Sequence, residues 1–410
     1  MVSEKRLGSL TSEGTSSLAG RRIAFVSHHD RNLYRFRLPI MQRLVADGAA
    51  VFAICPSGDV ANRFEEHGVE HLELPIDRLT FNPARARASI RGLRRALERI
   101  EPDVVHAFTL RPNLYVNLAT RGMRGVVVNS VTGLGSLYAG EGGPRRTLLR
   151  GLVNLATGFA TQSRADAVVF QNPDDRDYFV SCRLCRAGRA RLIVGSGVDT
   201  VEFSSGRFDR DGRARLRGQW GIASDATVVT MIARLISSKG VREFIEAAAA
   251  MRHAATFVLI GEPDSGNPDR LSREEIHRSA SKAGVIRVGR QDNIPEWLHA
   301  TDLYVLPSYR EGLPRTVLEA MAMGLPIVTT HAPGCREAVS HGENGLLVPV
   351  RDGQALAGAI EELVADEARR VRMGRRSREL AESRFRVETV VEQHLSLYRD
   401  LIQKRGDWHG

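Results

Sequence analysis

Lysine is nearly absent from this chain: four of its 58 basic residues are lysine and the rest are arginine. Cysteine is scarce as well, with Cys55, Cys182, Cys185 and Cys335 spread over 410 residues. So few thiols make no disulfide framework, which points to a reducing compartment and a cytoplasmic protein. Cys182 and Cys185 form a CxxC, but nothing supplies the second pair of a four-ligand zinc site. No metal is expected there, and the pair reads as two reduced thiols near a helix end. No stretch approaches the roughly 20 consecutive apolar residues that span a bilayer. The first twenty residues lack the apolar core of a secretory signal and read as a disordered tail. The first apolar run ends in Ser27-His28-His29-Asp30 rather than in GxGxxG, which counts against a nicotinamide dehydrogenase.

What is present suits two globular domains, each long enough to bury its own core, with 42% hydrophobic and 26% charged residues. The net charge of +10 is uneven: residues 1–200 hold 28 basic against 19 acidic residues, and the remainder 30 against 29. A basic first half suits an anionic partner such as a phosphorylated substrate, a membrane surface or nucleic acid; coding bias toward arginine explains it equally well.

Short apolar runs alternate with helical patterns along both halves. In the first, runs at Arg22–Ser27, Ala49–Cys55, Val104–Phe108, Val126–Ser130 and Ala167–Gln171 are separated by helical stretches such as Leu38–Ala46 and Ala86–Ile100. In the second, the strands Val228–Ala233, Thr256–Ile260, Ile286–Val288, Leu303–Pro307 and Ile327–Thr329 alternate with helices from Val241, Ile294 and Arg315. The expected fold is α/β, with parallel sheets covered on both faces. The expected division is a tail at 1–20, a Rossmann-like domain at 21–200, a second at 201–385, and a C-terminal helix at 386–410 that packs back on the first domain. In such sheets ligands bind beyond the carboxyl ends of the strands, so the chemistry is sought in the loops that follow them.

Two stretches carry it. In Val228–Gly240 a strand breaks into a loop holding Arg234 and Lys239 just before a helix start. Two cations beside free backbone N–H groups suit a diphosphate, although basic residues before a helix also occur as plain solvated surface. In Leu303–Pro326 an apolar strand leads to Glu311 and Gly312, Pro314 is placed to open a helix, and Glu319 follows within its early turns. Glu319 is suited to accept both hydroxyls of a ribose, with Glu311 nearer the reacting sugar. Gly312 and Leu313 are expected to let the backbone approach a ligand closely. The plain alternatives are a helix-dipole role for Glu311 and a solvated helix face for Glu319. Paired carboxylates also argue against nucleic acid as the partner, since they repel its backbone.

These residues, with the flanking GLPIVTT and ENGLLVP, resemble glycosyltransferase family 4, whose members are retaining transferases of the GT-B fold: two facing Rossmann-like domains with a deep cleft between them. The resemblance spans Arg21 to about Gln403. It implies that Arg234 and Lys239 bind the donor diphosphate, that Glu319 binds the ribose and Glu311 the donor sugar, and that Gly312, Leu313 and Pro314 line the nucleoside and sugar site. No cofactor beyond the donor and no metal is implied, because the cations and helix dipoles stabilise the departing diphosphate. The Asp174-Asp175 pair accordingly reads as an exposed helix start. His106, ending a strand, stands where relatives often place a catalytic histidine, but the His-x-His of many of them is here His106-x-Phe108. His28, His29, Arg111 and Asn113 are acceptor-side candidates.

A narrower likeness, carried by VHAFTLRPNLY, VTGLG, VVFQNPDDRDYF and APGCRE, is to bacterial transferases that add an N-acetylhexosamine to a polyprenol-diphosphate-linked sugar. It implies a UDP-sugar donor, a lipid-linked saccharide acceptor and a peripheral place on the inner face of the membrane. A sugar-nucleotide epimerase or hydrolase of the same fold, or a transferase with a soluble acceptor, is the alternative. Arginines at 85, 87, 91, 94, 95 and 99 on one helix, and at 145, 146 and 150 before the apolar stretch Leu148–Phe159, suit anionic headgroups; ordinary helices packed on their sheet are the plain reading.

Overall fold

Runs such as VVHAF, VVVNSV, VVTMI and LYVL are buried along their whole length, as strands covered on both faces must be. The computed structural model describes residues 18–76, 82–135, 138, 143–264, 266–267 and 269–406. The first unit runs β1 (Arg22–Val26), α1 (Asp30–Ala46), β2 (Ala50–Cys55), β3 (Val69–Glu73), α2 (Pro83–Ile100), β4 (Val104–Phe108), α3 (Leu110–Ala119), β5 (Val126–Val131), α4 (Pro144–Arg164), β6 (Ala167–Phe170), α5 (Pro173–Ser181) and β7 (Ala190–Leu192). Its strands pair in parallel in the order β3-β2-β1-β4-β5-β6-β7.

The second unit runs α6 (Arg210–Gln219), β8 (Val228–Ile232), α7 (Val241–Ala250), β9 (Thr256–Ile260), α8 (Arg273–Ala283), β10 (Ile286–Gly289), α9 (Ile294–His299), β11 (Leu303–Leu306), α10 (Arg315–Ala322), β12 (Ile327–Thr330), β13 (Gly345–Val348), α11 (Gly353–Ala365) and α12 (Glu367–Arg384). Its sheet is also parallel, in the order β10-β9-β8-β11-β12-β13. The two sheets reverse their winding between β1 and β4 and between β8 and β11. At each reversal the two following loops diverge and leave a crevice.

The chain passes between the units twice, and the two crossings are bonded side by side. The Val198 N–H donates to the Phe385 carbonyl at 2.8 Å, and the Val387 N–H returns to the Val198 carbonyl at 3.0 Å. Gly197 sits at φ +74°, where a Cβ would stand 2.5 Å from the Val387 Cα, so only glycine lets the strands cross this closely. The last helix, α13 (Val387–Gly406), then lies against α1 and adds Val390, Val391, Leu395, Leu397 and Tyr398 to the first unit's core. Residues 1–17 of the expected tail lie outside the described residues. Its last three do not behave as tail: Leu18 is 3% exposed in the same core, and the Gly20 N–H donates to the Gly48 carbonyl at 2.9 Å.

α13 also encloses His106. Nδ1 of His106 lies 2.6 Å from the Tyr398 hydroxyl and Nε2 lies 2.7 Å from Ser130 Oγ, with the ring fully buried and the His394 ring tilted against it at 5.6 Å. Burial, the neighbouring imidazole and the Arg37 guanidinium hold His106 well below the usual histidine range. Burial and Arg37 push His394 down to about 3. Both imidazoles are therefore neutral when folded, whereas the unfolded chain takes up their protons below about pH 6.5. Stability is full above that pH and falls as the pH drops toward the folded-state values. Urea midpoints are expected to fall between about pH 7 and about pH 5, less steeply in His394→Phe; equal slopes would contradict the neutral pair.

Candidate active site

The donor-side residues come together at the β8/β11 reversal. The loop after β8 carries Arg234 and Lys239, the loop after β11 carries Glu311, and the Tyr309 N–H ties them by donating to the Ser238 carbonyl at 2.9 Å. Gly240, at φ +74°, brings the first loop onto the second, with its missing Cβ facing the Pro307 carbonyl at 2.2 Å. Lys239 Nζ is ion-paired with Glu311 Oε1, both side chains being largely buried. Arg234, about half exposed, is held 2.7 Å from Asp264 Oδ2. Each cation thus stands pre-aimed and balanced by a carboxylate, from which an anion of higher charge density can draw it.

Glu319 is no solvated helix residue. It is 1% exposed, and its Oε1 takes Arg315 Nε at 2.9 Å and faces Arg35 Nη2 of α1 at 3.5 Å. Its Oε2 is buried with no protein partner. A buried carboxylate oxygen is costly to leave unpaired, so this atom is an acceptor open to a donor group.

Gly312 and Leu313 do more than line a crevice: they let the two units touch. A Cβ on Gly312 would meet the Thr132 carbonyl at 2.2 Å and Gln171 Oε1 at 2.5 Å, and Leu313 packs into the space that Gly195 leaves. Asn172, which caps α5, donates through Nδ2 to the Gly312 carbonyl at 2.8 Å and the Glu311 carbonyl at 3.2 Å. Pro314 is buried and caps α10. The Asp174-Asp175 pair is likewise not exposed: Asp175 is fully buried and ion-paired with Arg310, and Asp174 pairs with Arg336 at 2.5 Å, both across the units. Behind Glu311, Gly334 at φ +84° admits the loop after β12, whose Pro333 carbonyl accepts the Glu311 N–H at 2.9 Å.

On the acceptor side the candidates separate. His106 is excluded from direct chemistry by its burial under α13, with both ring nitrogens already engaged. His29 caps α1, its Nδ1 accepting from the Arg31 N–H at 3.2 Å. Asn113 is 3% exposed and ties α3 to the Ser130 carbonyl at 3.0 Å. Arg111 stands half-buried in the first turn of α3. His28, half-buried in the loop after β1, reaches across the β1/β4 reversal to Thr109 Oγ1 at 3.0 Å.

Thr109 is the residue that motif reading passes over. It sits at φ +74°, ψ 160°, a region otherwise left to glycine, at a cost of roughly 1–3 kcal/mol, and such strain gathers at active sites. The one available signal is a strand-to-helix turn written without glycine, FTLRP. Among the described residues no group of three or more His, Cys, Asp or Glu is placed to hold a metal, and no helix is long and apolar enough to cross a membrane.

Two family descriptions match the chain: a glycosyl transferase 4-like domain over residues 35–194 and the glycosyl transferases group 1 over residues 212–380. The chain is 28% identical to the N,N'-diacetylbacillosaminyl-diphospho-undecaprenol alpha-1,3-N-acetylgalactosaminyltransferase of Campylobacter jejuni, over 93% of this chain and 99% of that protein. It is 26% identical to the putative glycosyltransferase EpsD of Bacillus subtilis, over 92% and 96%. Its fold matches HepE of Anabaena, solved with UDP and glucose, with a TM-score of 0.77 and 22% identity over 92% and 99% of the two chains. It also matches a sucrose-phosphate synthase of Thermosynechococcus elongatus, with a TM-score of 0.80 and 22% identity over 94% and 100%.

Relieving the strain at Thr109 separates stability from activity. Thr109→Gly is expected to gain about 1 kcal/mol in urea unfolding while losing transfer activity, because the hydroxyl facing His28 is gone. A variant less stable than the parent would contradict the strain, and one of full activity would remove Thr109 from the site.

Proposed function

We propose that this chain, matched over residues 35–194 by a glycosyl transferase 4-like domain and over residues 212–380 by the glycosyl transferases group 1, is a GT-B glycosyltransferase that moves an N-acetylhexosamine from a UDP-sugar to a polyprenol-diphosphate-linked saccharide at the membrane surface. The observation that carries the donor half is the buried, partnerless Oε2 of Glu319 beside the Lys239–Glu311 pair. The acceptor reading is supported by the Campylobacter relative, whose name describes transfer of N-acetylgalactosamine to a diphospho-undecaprenol-linked sugar.

In this reading the donor diphosphate draws Lys239 from Glu311 and Arg234 from Asp264, and Glu319 accepts the ribose hydroxyls through Oε2. Glu311, released from Lys239, is left beside the sugar. The bond from the anomeric carbon to the β-phosphate oxygen breaks as the acceptor hydroxyl oxygen bonds that carbon from the same face, and the hydroxyl proton passes to the departing phosphate. Configuration is retained. Charge growing on the diphosphate meets Lys239, Arg234 and the backbone N–H groups before α7, so the protein's own cations do the stabilising without a metal. His28 and Thr109, at the facing reversal, hold the acceptor side.

Lys239→Ala and Glu319→Gln are each expected to lower transfer at least about tenfold, with unchanged circular dichroism. Full activity in both would remove the donor site. A panel of UDP- and GDP-sugars, incubated with membrane extract holding polyprenol-diphosphate sugars, identifies the donor. UDP-N-acetylhexosamine is expected to be consumed only when the extract is present. An isomerised sugar nucleotide formed from donor alone would replace transfer with epimerisation, and hydrolysis alone would overturn it as well.

A further inference from the structure

The helix α4 is amphipathic in the wrong sense. Its packed face carries Thr157, Thr161 and Arg164, all buried, while Leu148, Leu152, Leu155 and Phe159, spaced i, i+4, i+7 and i+11, form a stripe on the opposite face at 66%, 56%, 72% and 64% exposed. Leu149 widens the stripe, and a groove of about 650 Å³ runs beside Leu155 and Phe159, with Gly158 and Leu184 in its lining. An apolar stripe this long and continuous is not ordinary surface scatter.

Its surroundings identify the occupant. α3 packs between α2 and α4, and the three helices together carry eleven arginines against a single acid, Glu98. The Arg121 guanidinium lies 4.8 Å over the Phe159 ring, so cation and aromatic share one edge of the stripe. A second copy of this chain would bring the same arginines against one another, whereas an anionic bilayer satisfies charge and apolar area together.

We infer that α4 lies in the interfacial plane of an anionic membrane, with Leu148, Leu152, Leu155 and Phe159 among the acyl chains and the exposed arginines of α2, with Arg121, on the headgroups. This rests on the reading of a lipid-linked acceptor and gives it a geometry. α4 follows β5, so its N-terminus stands at the carboxyl edge of the first sheet, and the loop before it touches the second unit where Gly133 faces the Gly312 nitrogen. The helix runs about 31 Å from that edge, at about 1.5 Å per residue. Laid flat on lipid, it holds the mouth of the inter-unit site at the membrane surface.

The test is co-sedimentation of the full chain with vesicles of phosphatidylglycerol mixed into phosphatidylcholine. A fluorophore on Cys182, the exposed thiol on the groove's rim, reports the environment. The chain is expected to bind the anionic vesicles with a blue shift, and the variant Leu152→Glu/Leu155→Glu/Phe159→Glu to bind at least about tenfold more weakly. The variant is expected to keep full UDP binding and full transfer to a water-soluble, short-chain acceptor analogue. Equal vesicle binding by parent and variant overturns the inference, as does a parent dimer in sedimentation velocity that the variant dissolves. Vesicle binding by a chain inactive with every lipid-linked acceptor overturns the acceptor reading and leaves the docking face standing.

Discussion

The structure depends on one segment, Arg310 to Pro314, being gripped from both sides. From its own unit, Lys239 holds the Glu311 carboxylate and the Pro333 carbonyl holds the Glu311 nitrogen. From the other unit, Asn172 holds two of its carbonyls, Asp175 holds Arg310, and the Thr132 backbone closes on Gly312. Buried ion pairs of this kind add little net stability but strongly penalise other arrangements. They therefore set how the two sheets meet at this loop. The side-by-side crossings at Val198 and Phe385–Val387 supply the hinge about which that grip is made.

The two reversals are built on opposite principles. At β8/β11 charge is stored in ready-made pairs, so under the proposed function the donor displaces partners instead of finding bare cations. At β1/β4 the store is backbone strain, held at Thr109 and supported by the core beneath it. That core includes the neutral His106–Tyr398 bond, which closes a separation of 292 residues and anchors the last helix to the first sheet. The histidine in the middle of β4 is thus a strut, and the strained residue is the one just past Phe108.

The fold was legible because most buried parallel strands are short, largely apolar runs, from Ile23–Val26 to Ile327–Thr330, set between helix signals. α3 was not, since its apolar residues are interrupted by Asn113 and Asn117, which are buried as amides, and β3 was not, because Glu70, His71 and Glu73 break its apolar run. The clustering of Glu311, Glu319 and Lys239 was legible because the two glutamates lie in one continuous strand-loop-helix next to the loop of Lys239. The roles of Gly312, Asp175 and His106 were not, because each is set by a partner far along the chain: Thr132, Arg310 and Tyr398. The inverted polarity of α4 was hidden for the same reason. Periodicity shows that a helix has an apolar stripe, and only packing shows which way it faces.

The most direct test of the central claim, that the Lys239–Glu311 pair is a donor diphosphate site held closed by its own carboxylate, is a structure of the chain with bound UDP. The account requires Lys239 Nζ to leave Glu311 for a phosphate oxygen, Arg234 to turn from Asp264, and the ribose hydroxyls to meet Oε2 of Glu319. UDP seated elsewhere, with the Lys239–Glu311 pair intact, would contradict it.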